Sequence, residues 1–153
     1  MAAQNKICTR AKHKNHFDFY AMQCGPWYHI GMKFLVIGIG GAIGACLRYG
    51  IGLTAERLAV APPLGTLLAN VIAGFMIGAV IGVERASGAL DAYAKVFITT
   101  GLLGGLSTFS AFSLETVQLI ERNQYGLAAG NVLANVGTCL AATAAGLAFG
   151  NKW

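Results

Sequence analysis

Between positions 101 and 113 the chain reads GLLGGLSTFSAFS. Adjacent glycines at 104 and 105 stand just before Ser107, Thr108 and Ser110. Glycine and hydroxyl residues are poor material for an unbroken helix, because glycine gains too much freedom outside it and hydroxyls compete for backbone groups. In apolar surroundings such a break is tolerated only where the freed backbone is buried in protein or lines a polar cavity, and its carbonyls can then hold a small cation. The other outcome is an intact helix whose hydroxyls bond back to their own carbonyls. Physical reasoning leaves both open. Phe109 and Phe112 follow at a spacing of three and share a face. An aromatic ring is positive at its edge, so an edge turned to a pore favours an anion. For a bare phenylalanine pair, ordinary packing against lipid or core is the stronger reading.

Other polar residues are expected to point inward, since a lone amide in hydrocarbon needs a partner or water. Asn70 and Asn135 lie within apolar segments, with Thr66, Asn131 and Thr138 nearer the ends. Arg48, towards the end of the first segment, and Glu115, three residues after Phe112, are candidates as intramembrane charges, or else mark an interface. The apolar body holds no Ser-His-Asp set and no carboxylate pair, and its histidines are all upstream at 13, 16 and 29. Enzyme chemistry is not expected.

These residues sit in an unusually apolar chain. Of 153 residues, 56% are apolar and 11% charged, against roughly 25% charged in an average globular protein. Mean hydropathy is +0.59. That composition excludes an ordinary soluble enzyme, a disulfide scaffold or a disordered tail, and indicates an all-α membrane protein. The net charge of +5 is largely set by Lys6, Arg10, Lys12 and Lys14, opposed nearby only by Asp18. No basic face remains for a nucleic acid. Cys8, His13, His16 and Cys24 match no common zinc spacing. Cys46 and Cys139 read as small packing residues.

Residues 1–31 form a polar, basic leader without the apolar run of a secretory signal. Composition changes at Met32, which resembles a natural start; a short cytoplasmic tail is the alternative. The body, 32–153, divides into four apolar segments at about 34–53, 64–83, 94–117 and 127–149. Each is long enough to cross a hydrocarbon core of roughly 30 Å. Pro62 and Pro63 suit the start of the second helix. Gly40 and Gly44, Gly74 with Gly78 and Gly82, and Gly101 with Gly105 recur at four-residue spacing. This pattern lets helices approach closely, and packing within one chain is preferred over a seam between two. Leu-Ala-Asn-Val occurs at 68–71 and again at 133–136, which hints at a repeated helical hairpin.

Three stretches together resemble the CrcB/Fluc family of fluoride channels. GGLSTFSAFS at 104–113 is similar to the family's GGxTTFSTFS signature, GTLLAN at 65–70 to its GTxxxN element, and GAIGACLRY at 41–49 to its GxxGAxxRY opening. The resemblance covers about residues 32–149. It implies a dual-topology antiparallel homodimer in a bacterial-type inner membrane, with the third helix broken near mid-membrane, two fluoride pores, and a sodium ion at the dimer centre. It implies that Phe109 and Phe112 line the ion path, that Asn70 offers its amide N–H, and that Thr108 and Ser110 add hydroxyl contacts. Backbone carbonyls of Gly104 and Ser107 would hold the sodium. Ser107 and Ala111 depart from the signature; the first is benign if only a carbonyl is used, and the second removes a hydroxyl. The other functional readings are a proton-coupled transporter, for which Glu115 is the only acidic candidate, and an interaction subunit. Dual topology agrees with the charges: Lys33, Arg85, Lys95 and Lys152 fall on one side, Arg48, Arg57 and Arg122 on the other.

Overall fold

The computed structural model describes residues 28–58, 62–88 and 90–153; residues 1–27 lie outside them, and with them the leader's Cys8, His13, His16 and Cys24. Among the described residues all regular structure is helical. Helix α1 spans Tyr28–Arg57 and α2 spans Pro62–Ser87. The third segment opens as α3, Ala92–Val96, widens into a π-helical stretch, Phe97–Leu103, tightens again as α4, Gly104–Leu106, and resumes after two extended residues as α5, Phe109–Glu121. Helix α6 spans Tyr125–Gly150. Four spans of 25 to 30 residues are long and apolar enough to cross a membrane. The helices outrun the apolar segments because Glu and Arg at their ends continue the helix beyond hydrocarbon reach; α1 also begins four residues before Met32.

Glycine decides which helices touch. A Cβ on Gly40 would come within 2.8 Å of Phe97 O, and one on Gly105 within 2.5 Å of Gly41 O. A Cβ on Gly44 would strike Leu102 O and Leu106 N. The contacts advance in the same sense along both segments, so α1 runs parallel to the third segment. Helix α2 runs parallel to α6 in the same way. A Cβ on Gly82 would come within 2.7 Å of Leu147 O and 2.8 Å of Asn151 N, one on Gly146 within 2.9 Å of Ala79 N, and one on Gly150 within 2.8 Å of Val83 N. Such backbone-to-backbone approach maximises dispersion contact where no hydrophobic force separates helix from lipid. The glycines singled out by spacing therefore pack within the chain.

The buried core is small: Ala73, Leu103 and Leu106, with Ile51, Ile72, Ile77 and Ile98 against it. Leu35, Leu68, Leu133 and Leu140 are more than half exposed, as befits surfaces that meet lipid or another subunit rather than water. The turns are closed by specific caps. Gly88 adopts φ 61° after α2. Asp91 then accepts from Tyr93 N and Ala94 N to start α3, and Glu84 pairs with Lys95 at 3.5 Å across the loop. After α5, Asn123 takes φ 58°, and its N–H and that of Gln124 return to Ile120 O and Leu119 O. That is a Schellman arrangement, with asparagine where glycine is more usual.

Candidate functional site

Ser107 (φ −77°, ψ 152°) and Thr108 (φ −151°, ψ 119°) stand in extended geometry between α4 and α5. Of the two outcomes left open by the glycine–hydroxyl run, the non-helical one is found. Its backbone is rehoused by side chains. Thr108 N–H, which would bond Gly104 O in an unbroken helix, donates to Asn70 Oδ1 at 2.7 Å. Asn70 Nδ2 returns a bond to Thr108 O at 3.2 Å. Thr108 Oγ1 caps α5 by accepting from Ala111 N at 3.2 Å, and lies 3.0 Å from Ser110 Oγ. Ala111 N–H is thus diverted from Ser107 O. The carbonyls of Gly104 and Ser107 have both lost their usual helical donors.

A groove of about 420 Å³ opens beside these two residues. Gly104, Ser107, Thr108, Phe109, Phe112 and Asn70 all line it, joined by Asn135 and Cys139 from α6. The two rings lie 5.3 Å apart, tilted by 56°. They are unequal: Phe112 is 7% exposed and Phe109 78%. One ring is therefore fixed in the protein, and the other is exposed at the groove. Ser110 adjoins Thr108 but does not line the groove.

The remaining candidates lie elsewhere. The Thr66 hydroxyl donates to Glu115 Oε1, one helical turn from Asn70. Glu115 Oε2 is buried without a hydrogen-bond partner. Glu115 lines a second cavity, of about 450 Å³, with Gln118, Arg122 and Asn131 among its neighbours. Arg48, half-buried on α1, lines neither cavity.

A polar network joins the two regions. Asn70 Nδ2 donates to Asn135 Oδ1 at 3.1 Å. Asn135 Nδ2 donates to Asn131 O and Oδ1 at 3.2 and 3.0 Å. Asn131 Nδ2 donates to Thr116 Oγ1 at 2.9 Å, and Thr116 Oγ1 to Phe112 O at 2.8 Å. Asn131 and Asn135 are buried, as the cost of a lone amide requires. Thr138 corrects that argument. It is exposed and bonds back to Ala134 O at 2.6 Å, because a threonine hydroxyl in a helix can be satisfied by the preceding turn and an amide cannot. Thr116 was not legible as a site residue; nothing in its spacing separates it from Thr138.

The family model described as "CrcB-like protein, Camphor Resistance (CrcB)" matches residues 35–147. Among curated relatives, a "Fluoride-specific ion channel FluC" of Paraburkholderia xenovorans (strain LB400) is 46% identical over 117 residues, covering 76% of this chain and 92% of that protein. One of the same name from Pseudomonas putida (strain W619) is 45% identical over 116 residues, covering 76% and 91%. A third, from Dechloromonas aromatica (strain RCB), is 43% identical over 116 residues, covering 76% and 86%.

Proposed function

The chain belongs to the CrcB family and is a multi-pass integral membrane protein; from that premise we propose that it is a fluoride-selective channel, letting fluoride leave the cell passively and so limiting its toxicity. The observation that carries the reading is the groove in which Asn70, Phe109 and Phe112 meet beside the extended pair Ser107–Thr108. Fluoride is small and strongly hydrated, and a pore must replace its water with donors and positive ring edges. Here an arriving anion would exchange one of the two Asn70 Nδ2 bonds, to Thr108 O or Asn135 Oδ1, for a bond to itself, and the tilted rings supply edges. Liposomes containing the protein should release fluoride far faster than chloride, with no nucleotide and no proton gradient. Equal rates for the two anions would overturn the proposal.

The assembly belongs to the same reading. Phe109, 78% exposed at the groove's rim, and the exposed leucines of α6 favour a second copy as the missing wall. The near balance of basic residues on the two sides favours an inverted copy, giving an antiparallel dimer in a bacterial-type inner membrane with the Ser107–Thr108 interruption near mid-depth. Sodium at the centre of that dimer would be held by the carbonyls of Gly104 and Ser107. Their fit rests on the two diverted N–H groups, which leave backbone acceptors for a hard cation. When bound, the ion would supply positive charge between the two chains.

One observation favours the proton-coupled transporter as second reading: Glu115, whose Oε2 is buried without a hydrogen-bond partner, lines a cavity of its own. Flux that rises and falls with an imposed proton gradient would select it.

A further inference from the structure

We infer that Thr116 and Asn131 are positioning residues for Asn70, acting through a hydrogen-bond relay that can run in only one direction. The relay's two ends are backbone groups, and each allows a single role. Thr108 N–H can only donate, and Phe112 C=O can only accept. Thr116 spends its one hydroxyl proton on Phe112 O, so its oxygen must accept from Asn131 Nδ2. Asn131 therefore turns Oδ1 towards Asn135, whose Nδ2 fills it. Asn135 in turn presents Oδ1 to Asn70 Nδ2. The only face left for Asn70 Oδ1 is Thr108 N–H. Flipping any one amide would set donor against donor at one side and acceptor against acceptor at the other.

The middle of the relay is buried, and its ends at Asn70 and Thr116 are half-buried. Asn131 and Asn135 are 7% and 5% exposed, where an unmade bond costs its full desolvation. Thr116 lines neither cavity, so it meets no ion in the groove. It acts at a distance: its hydroxyl, three bonds away, supports the orientation of the Asn70 amide that Thr108 N–H and C=O also require. In that orientation the two Asn70 N–H bonds go to Thr108 O and Asn135 Oδ1, at the groove's edge.

This inference rests on the fluoride reading for its flux arm and is independent of it for the other. Reconstituted wild type, Thr116→Val and Thr116→Ser are compared for fluoride efflux. The Asn70 side-chain amide is followed in the same proteins by nuclear magnetic resonance with ¹⁵N-asparagine labelling. Valine keeps the shape and removes the hydroxyl that accepts from Asn131 Nδ2, so efflux should slow about tenfold, the equivalent of one buried hydrogen bond, and the Asn70 amide resonance should move. Serine keeps the hydroxyl and should restore both. Unchanged efflux or an unmoved Asn70 resonance in Thr116→Val overturns the inference, as does a serine variant no better than valine. Wild type that carries no fluoride would defeat the channel reading instead, leaving the amide resonance to decide the relay. If Thr116→Val does not fold, Asn131→Ala takes its place with the same two measurements.

Discussion

Asn70 Nδ2 donates to Asn135 Oδ1 at 3.1 Å, and each asparagine is the third residue of a Leu-Ala-Asn-Val stretch. Equivalent positions of two parallel helices thus meet face to face, brought together by the glycines that draw α2 onto α6. The pairing leaves one amide free to hold Thr108 and commits the other to the relay. The two halves of the chain have used the same four residues for different ends.

Asn70→Asp should cut fluoride efflux by at least about tenfold, the scale of one lost buried bond. A carboxylate cannot donate to Thr108 O or Asn135 Oδ1, and its charge opposes an arriving anion. Efflux from proteoliposomes measures this; a variant that conducts as wild type would remove Asn70 from the pathway.

Phe109→Ile and Phe112→Ile should both slow fluoride while differing in stability. Each removes a ring quadrupole and keeps an apolar side chain. Phe112 is buried, so its exchange should also lower the thermal midpoint, with a cost of about 1–3 kcal/mol. Phe109 is exposed at the groove and should leave a detergent-dispersed single chain's midpoint unchanged. Normal flux in both would reduce the pair to packing.

Gly146→Ala and Gly137→Ala provide a matched contrast. A Cβ at 146 would strike the backbone at Phe75 and Ala79, whereas nothing lies within 4 Å at 137. The first should lose folded protein in size-exclusion profiles. The second should be neutral or stabilising by up to about 1 kcal/mol from helix propensity. Equal behaviour would mean α2 and α6 are not so closely apposed.

Ser107→Thr should be tolerated, because its extended φ and ψ suit a β-branched residue and its carbonyl is untouched. Replacing sodium by a large organic cation should slow fluoride efflux in both wild type and variant. Sodium-independent flux would discard the central cation.

Orientation offers a test that does not depend on conductance. From Met32 on, Lys33, Arg85, Lys95 and Lys152 oppose Arg48, Arg57 and Arg122, so a C-terminal reporter on that form should be found on both sides of the membrane. Adding Lys6, Arg10, Lys12 and Lys14 should hold it in the cytoplasm. A cytoplasmic signal alone from the shorter form would reject dual topology.

The four spans were legible because apolar runs of membrane length need no tertiary information to be recognised. The groove was legible in part. Asn70, Phe109 and Phe112 stood out through residue type and resemblance, and Asn135 through its repeated context. The extended geometry at Ser107 and Thr108 was not decided by local sequence. Glycine and hydroxyls permit it, but Asn70, 38 residues away, supplies the partner that makes it stable. Thr116 and Thr138 show the same limit from the other side. Both are threonines in apolar helices, both bond back to the preceding turn, and only the neighbouring α6 amide distinguishes the one that matters.

The π-helical stretch Phe97–Leu103 acts as a phase shifter within the third span. Each of its turns closes over one residue more than an α-helix would, and a residue of α-helix is worth about 100° of azimuth. Faces upstream and downstream of it are therefore out of step by a large angle. Gly101 and Gly105 can both meet α1 while Thr108 still turns to Asn70. Deleting one residue between 97 and 103 would leave the span apolar and long enough to cross a membrane, yet rotate α5 away from its partners.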